Sequence, residues 1–351
     1  MKILKKILKL LLILIIVVVG GFIGLIVYAL ITDYKPKEKE IIFQSEKPSK
    51  LNDSLSITLL TWNIGYAGLD KEMDFFFDGG TRVITPVTKC RENLREIGKF
   101  LKNNDSIDFI FLQEVDRGSK RSYHLDEYDS ILSRVKDHSP VFAKNYDVFF
   151  VPKPISNPMG KVLSGIATFS KYTPASSTRY AFPGDFGFPT QLFWLDRCFL
   201  VNRYPLTNGK ELVLINTHNE AFDEGDIRKA QMEYLKGFIL NEYRIGNFVI
   251  AGGDWNQCPP DFKPAFQGDR VNTSQMVMQS DYLPSEWKWA YDSTTPSNRT
   301  VVAAYDPSTT TTTVIDFFLL SPNTEYDYVK CSRLGFTNSD HNPVIIRVKL
   351  K

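Results

Sequence analysis

Ser339-Asp340-His341-Asn342-Pro343 stands immediately before the last apolar run of the chain, Val344 to Val348. A carboxylate, an imidazole and an amide crowded against a buried strand are how a sheet enzyme presents reactive groups at one edge. Three clusters upstream share the arrangement. Gln113-Glu114-Val115-Asp116 follows Phe109 to Leu112, Asn216-Thr217-His218-Asn219-Glu220 follows Leu212 to Ile215, and Gly252-Gly253-Asp254-Trp255-Asn256 follows Phe248 to Ala251. Asn63 closes the run from Leu55, and Asp316 interrupts the apolar stretch Val314 to Leu320. Taken singly, each suits a solvated strand end, an Asx turn, a satisfied core histidine or a structural ion pair. Together, in order along one chain, they point to a shared site.

Outward from these clusters the chain alternates strand-like and helix-like segments. Period-two spacing of Leu55, Ile57 and Leu59 predicts a strand over 55–63. Further strands are expected over 107–113, 146–151, 166–170, 192–201, 212–217, 248–251, 314–320 and 344–348. Leu94, Ile97 and Leu101 predict a helix over 88–101; Ile227, Ala230, Tyr234 and Phe238 predict an amphipathic helix over 226–243. Many short strands with few helices argue for sheets packed face to face with helices outside. No internal repeat is present, and the β-branched run Thr309 to Thr313 reads as a strand entry.

The residue types suit phosphoester hydrolysis. That reaction needs the phosphate charge neutralised, a water aimed and deprotonated, and the leaving oxygen stabilised. Carboxylate and amide oxygens hold a hard cation such as Mg²⁺ or Mn²⁺, and histidine donates to phosphate oxygens near neutral pH. Asp316, inside an apolar strand, requires a partner because a lone buried carboxylate is costly.

Trp62-Asn63, Gln113-Glu114, Asn216-Thr217-His218, Gly253-Asp254-Trp255-Asn256, Ile315-Asp316-Phe317 and Ser339 to Pro343 occur in an order that resembles the endonuclease/exonuclease/phosphatase superfamily with the DNase I-like fold, in a membrane-anchored, bacterial-type form. The resemblance spans roughly Ile57 to Val348. It implies a four-layer α/β/β/α sandwich. It implies Asn63 and Glu114 as ligands of the catalytic divalent metal, Asp254 as the residue that orients or deprotonates water, and Asn256 on a phosphate oxygen. His341 would stabilise the pentavalent phosphorus, Asp340 would pair with it or touch the metal, and Asp316 would be its buried orienting partner. His218 would sit on the phosphate or leaving group. Arg228 and Gln231, soon after His218, resemble the segment that follows this histidine in sphingomyelinase-like lineages. Two aromatic loops have no counterpart in the pattern: Asp74 to Gly80 and Phe182 to Pro189. They are expected to rim the site, touch a bilayer or pack internally.

The N-terminus differs in kind. Lys2, Lys5, Lys6 and Lys9 precede an unbroken apolar run from Leu10 to Ile31. At 1.5 Å per residue that run crosses a bilayer core of about 30 Å. A cleaved signal peptide is the competing reading, with a shorter apolar region and a small-x-small exit. The reading is therefore a basic cytoplasmic tail over 1–9, a single-pass anchor over 10–31, a solvated linker over 32–53 and an extracytoplasmic catalytic domain over 54–351. Four of the 42 Lys and Arg lie before residue 32, which leaves 38 against 40 acidic residues in the remainder. The remainder is therefore not a polyanion binder in bulk, which leaves room for a local basic groove. The four cysteines form no CxxC pair, which argues against a zinc knuckle; they allow three disulfide pairings or free buried thiols. The expected activity is hydrolysis of a phosphodiester, a lipid headgroup or other small diester, with nucleic acid as the alternative substrate and a silent binding domain as the contrasting class. No protein partner is indicated.

Overall fold

The computed structural model describes residues 1–223 and 225–351. Its elements run α1 (Lys2–Thr32), β1 (Lys39–Gln44), β2 (Ser56–Asn63), α2 (Val87–Asn103), β3 (Phe109–Asp116), α3 (Glu127–Leu132), β4 (Ser139–Val151), β5 (Gly160–Ser170), β6 (Ser176–Ala181), β7 (Cys198–Pro205), β8 (Glu211–His218), α4 (Asp226–Arg244), β9 (Phe248–Asp254), β10 (Arg270–Val271), β11 (Lys288–Ala290), β12 (Asn298–Arg299), β13 (Thr311–Thr313), β14 (Asp316–Leu320), β15 (Thr324–Cys331) and β16 (Val344–Leu350). Two large sheets form, in the orders β1-β6-β7-β8-β9-β14-β11 and β15-β16-β2-β3-β5-β4, with β10-β13-β12 as a small third sheet.

Strand alternation explains the layers. Leu59, Phe109, Phe111, Leu212, Leu214, Ile250, Phe318 and Leu320 share one cluster between the two large sheets. Their neighbours point the other way. Leu60, Trp62, Ile110 and Leu112 meet Cys90, Leu94, Ile97 and Leu101 of α2, while Val213, Ile215, Val249 and Ala251 meet Met232, Leu235 and Ile239 of α4. Strands buried on both faces read as near-continuous apolar runs for this reason. The result is the expected α/β/β/α sandwich. Each fully buried Leu, Ile or Phe contributes about 1.5–3 kcal/mol, so the three clusters hold the layers together.

The structure corrects several expectations. The stretch read as a solvated linker contains β1, which pairs antiparallel with β6 at the sheet edge. Leu51 is buried in the inter-sheet core and its N–H donates to Pro205 O at 2.8 Å. An open sheet edge and apolar Phe43 and Leu51 outweigh the polar composition around them. Residues 192–201 are not one strand: a short turn at Thr190–Phe193 precedes β7. Thr311–Thr313 does form a strand, in the small sheet. All four cysteines are free and buried.

α1 is the one helix among the described residues long and apolar enough to cross a membrane, which a signal sequence would also satisfy. Its end docks on the sandwich. Tyr28 meets Phe149 of β4 edge-on with ring centroids 4.5 Å apart, and Lys144 Nζ lies 3.6 Å from the Tyr34 ring centre.

Candidate active site

Parity carries the clustered side chains to one place. Asn63 continues the inward face of Leu59, His218 that of Leu214, and Asp254 that of Ile250; Asp316 lies on the face of Phe318. β2 and β3 run parallel, β8 and β9 run parallel, and β14 is antiparallel to β9. The ends of β2, β3, β8 and β9 and the start of β14 therefore open at the same end of the sandwich. His218, Asp254 and Asp316 are direct register neighbours across three strands. Glu114 has outward parity. A bulge between Leu112 and Val115, with Glu114 at φ 55°, turns it inward. Gly253 lets β9 pass close beneath: at φ 154°, a Cβ there would sit 2.0 Å from Thr217 O. Below the site Gln113 Nε2 donates to Asn216 Oδ1 at 2.8 Å, linking the two sheets.

Seven of the eight singled-out residues line one cavity of about 390 Å³: Asn63, Glu114, His218, Asp254, Asn256, Asp340 and His341. The eighth, Asp316, is buried behind His341, whose Nδ1 donates to Asp316 Oδ2 at 2.7 Å. Ser297 Oγ donates to the same oxygen at 2.7 Å. Asp316 thus heads its strand rather than interrupting it, and has the partner its burial demands. His341 Nε2 faces Asn298 Nδ2 at 3.0 Å and Asp254 Oδ2 at 3.7 Å. His218 Nε2 lies 3.5 Å from Asp254 Oδ2 and 4.0 Å from Glu114 Oε1. Asn256 donates its backbone N–H to Asp254 Oδ1 at 2.9 Å and its Nδ2 to Asn219 O at 2.8 Å. The C-terminal loop is pinned by Trp62 Nε1 donating to His341 O at 2.9 Å and Ser339 Oγ donating to Asn63 O at 2.8 Å.

The two imidazoles are held in opposite states. Burial, with Arg197, His341 and Arg121 nearby, pushes His218 well below its ordinary value, so it is neutral. Burial acts on His341 in the same sense but is overcome by Asp316, Asp340 and Asp254, which hold it well above its ordinary value as an imidazolium. Burial pushes Asp340 up to about 7, against His341, with Glu114 adding to the rise. Asp316 is raised to about 6, burial again leading.

The cavity wall carries the carboxylates of Asp78, Glu114, Asp254 and Asp340 beside the His341 imidazolium, while the two guanidiniums that also reach it, Arg197 and Arg299, are engaged by Glu220 and by backbone carbonyls. The hard carboxylate oxygens suit a divalent cation. Asp254, Asp316 and His341 also bring ligand atoms within 4.8 Å of one another. His341 Nδ1 and Asp316 already satisfy each other, so Glu114 and Asp340 are the better-placed oxygens. Asn63 departs from its expected part in this structure. Its Nδ2 donates to Glu114 Oε1 at 3.1 Å and Asp254 Oδ2 at 3.0 Å, while its Oδ1 accepts from Gly65 N at 3.0 Å. The amide presents its nitrogen, not its oxygen, to the carboxylates.

Sequence reasoning missed Ser297 and Asn298, which lie in a stretch with no strand periodicity. It also missed Arg197, whose Nε donates to Glu220 Oε2 at 3.3 Å beside the cavity. Arg228 is a buried clamp: its guanidinium donates to Glu220 O and Ala221 O at 2.8 and 2.9 Å. The aromatic loop Asp74 to Gly80 rims the cavity through Phe75 and Phe77.

Comparison with known proteins agrees with this geometry. No curated protein sequence matches the chain. Among solved structures it is similar to an endonuclease/exonuclease/phosphatase from Beutenbergia cavernae at 15% identity and TM-score 0.54, covering 84% of this chain and 72% of that one. It is similar to ANGEL2, a 2',3'-cyclic phosphatase in complex with adenosine-2',3'-vanadate, at 16% and 0.55, covering 87% and 99%. It is similar to the human Nocturnin catalytic domain with bound sulfate at 14% and 0.55, covering 88% and 100%. These likenesses show the fold. The profile described as "Endonuclease/Exonuclease/phosphatase family" matches residues 60–341, and the chain belongs to that family of metal-dependent phosphoester hydrolases.

Proposed function

We propose that the chain is a membrane-tethered, divalent-metal-dependent phosphodiesterase that hydrolyses a lipid headgroup or other small diester by direct attack of water. The observation that carries the reading is one cavity, at the ends of β2, β3, β8 and β9 and on the loop before β16, that gathers an imidazolium, a neutral imidazole and the carboxylates of Glu114, Asp254 and Asp340. A bound Mg²⁺ or Mn²⁺, held by Glu114 and Asp340 with Asn63 turning its oxygen inward, would supply Lewis acidity to the phosphate. Asp254 accepts the proton of the attacking water, and Asn256 and Asn298 hold its geometry and that of a phosphate oxygen. His341, kept protonated by Asp316, faces the charge that builds on phosphorus. Neutral His218 donates one hydrogen bond and adds no charge. The tether rests on α1, and the near-balanced charge of the remainder favours a lipid or small diester over a long polyanion.

The test is a substrate panel on the full-length chain in nanodiscs: phospholipids, sphingomyelin, plasmid DNA, oligonucleotides and small soluble diesters, each with Mg²⁺ or Mn²⁺ and with a chelator. Chelator-sensitive release from a lipid or small diester is expected. Cleavage confined to nucleic acid, or to monoesters, would overturn the reading.

A further inference from the structure

Beside the catalytic cavity, and sharing Glu114, Arg197, His218 and Phe222 with it, lies a second chamber of about 70 Å³. Its walls are aromatic. Trp194 meets Phe186, Phe222 and Phe77 with ring centroids 5.0, 5.6 and 6.0 Å apart. Five residues lining it carry buried polar atoms without a partner among the described residues: Asn145 Nδ2, Ser164 Oγ, Trp194 Nε1, Arg197 Nη1 and His218 Nδ1. Asn145, Ser164 and Arg197 are themselves more than nine-tenths buried. Buried polar atoms are normally satisfied, and five unpaired ones around one chamber mark a place where a ligand supplies the partner. Four of the five, those of Asn145, Ser164, Trp194 and Arg197, can donate, so the ligand group that meets them is an acceptor. A buried water occupies about 10–15 Å³ on this measure, so the chamber holds a group of a few heavy atoms, not an acyl chain.

Two segments that lead into the chamber wall also touch the helix that would enter the membrane. α1 packs against β4, which carries Asn145, and against the turn Thr190–Phe193, which Trp194 follows. The segments leading to the lining residues Met159 and Trp194 expose Ile155 at 93% and Phe188 at 63%, a costly placement in water and a suitable one against lipid.

We propose that this chamber is a subsite for the carbonyl-bearing backbone of a membrane lipid phosphodiester, the ester or amide segment between phosphate and acyl chains. The inference rests on the lipid phosphodiesterase reading of the neighbouring cavity. The phosphate occupies the space between Glu114, Asp254 and His341. The backbone carbonyls accept from Asn145, Arg197 and Trp194, and the chains stay in the bilayer beside Phe188.

Two measurements on the full-length chain in phosphatidylglycerol nanodiscs test this. In the first, a fraction of the lipid carries a nitroxide high on one acyl chain, next to the ester. Tryptophan fluorescence of the wild type is expected to be quenched, and the quenched component to disappear in Trp194→Phe. Equal quenching in both proteins overturns the proposal, as does an oligonucleotide that shields Trp194 from acrylamide where lipid does not, since that result puts a nucleobase in the chamber. In the second, hydrolysis of an ester-linked lipid is compared with its ether-linked analogue. Losing one buried hydrogen bond predicts a preference of about tenfold for the ester. Asn145→Leu is expected to abolish that preference while hydrolysis of a small soluble diester stays within about twofold. An unchanged preference, or an equal fall on all substrates, overturns it. If no diester is hydrolysed with any metal, the reaction assigned to the cavity fails, while the quenching result still decides the chamber.

Discussion

Replacing Asp316 by Asn removes one negative charge and leaves the shape of the site. Asp316 Oδ2 takes hydrogen bonds of 2.7 Å from both His341 Nδ1 and Ser297 Oγ, in a place with no access to water. A charge-assisted hydrogen bond of about 1.5–3 kcal/mol becomes a neutral one of about 1 kcal/mol. The field that keeps His341 protonated weakens as well: unit charges about 4 Å apart interact by roughly 4 kcal/mol at an effective dielectric constant near 20. Part of that loss is offset by relief of burying a carboxylate whose Oδ1 has no partner among the described residues. A net loss of about 3–4 kcal/mol of transition-state stabilisation follows, roughly 10²–10³ in kcat, the cost of removing one oxyanion donor. Because Asp316 acts through His341, KM should change little, and Tm should move by only a few degrees. Steady-state hydrolysis of a diester at saturating Mn²⁺, beside a thermal melt, reads both quantities. A kcat within about threefold of wild type at unchanged Tm would refute the assignment of Asp316 and His341 as a working pair.

Two further outcomes follow from groups away from the metal cavity. Arg121 pairs with buried Asp116 at 2.9 Å and lies 3.8 Å from the Tyr66 ring centre, so Arg121→Met strands a buried carboxylate and should cost about 3–5 kcal/mol in urea unfolding. A loss below about 1 kcal/mol would contradict that. Asp196 is raised to about 7 by burial, with Arg179 opposing and Asp33 and Asp147 assisting. The native state therefore binds a proton that the unfolded chain releases near its ordinary 3.8, and stability falls as pH rises from about 4 through about 7. Asp196→Asn should raise Tm relative to wild type more at pH 8 than at pH 4; an equal shift at both values would show that the ionised carboxylate is not penalised.

Strands buried on both faces were legible because their apolar runs were uninterrupted and their polar ends abrupt. The runs ending at Asn63, Gln113, His218 and Asp254 gave both the sheet order's central members and the site that crowns them. β1, β6 and β15 were not legible. β15 carries Glu325, Asp327 and Lys330 on a mostly exposed edge, and β1 carries Lys39 and Glu40, so neither shows a face to the core that alternation could reveal. Period alone places Glu114 on the wrong face, because a bulge is a backbone event with no glycine here to announce it. Ser297, Arg197 and Trp194 reach the site on irregular segments, and Asn298 on the two-residue strand β12, whose courses are set by packing against distant strands. Their neighbours in sequence carry no trace of their neighbours in space.

The most direct test of the site is the rate of diester hydrolysis by the full-length chain as a function of Mn²⁺ concentration, in wild type and in Glu114→Gln. Glu114 carries a carboxylate into the cavity beside Asn63 and Asp340 without being fully buried, so the amide should be tolerated by the fold. The wild type should be inactive in chelator and saturate with Mn²⁺; the variant should need at least about tenfold more metal and lose most of its maximal rate. Identical metal curves for the two proteins, or hydrolysis that persists undiminished in chelator, would contradict the account.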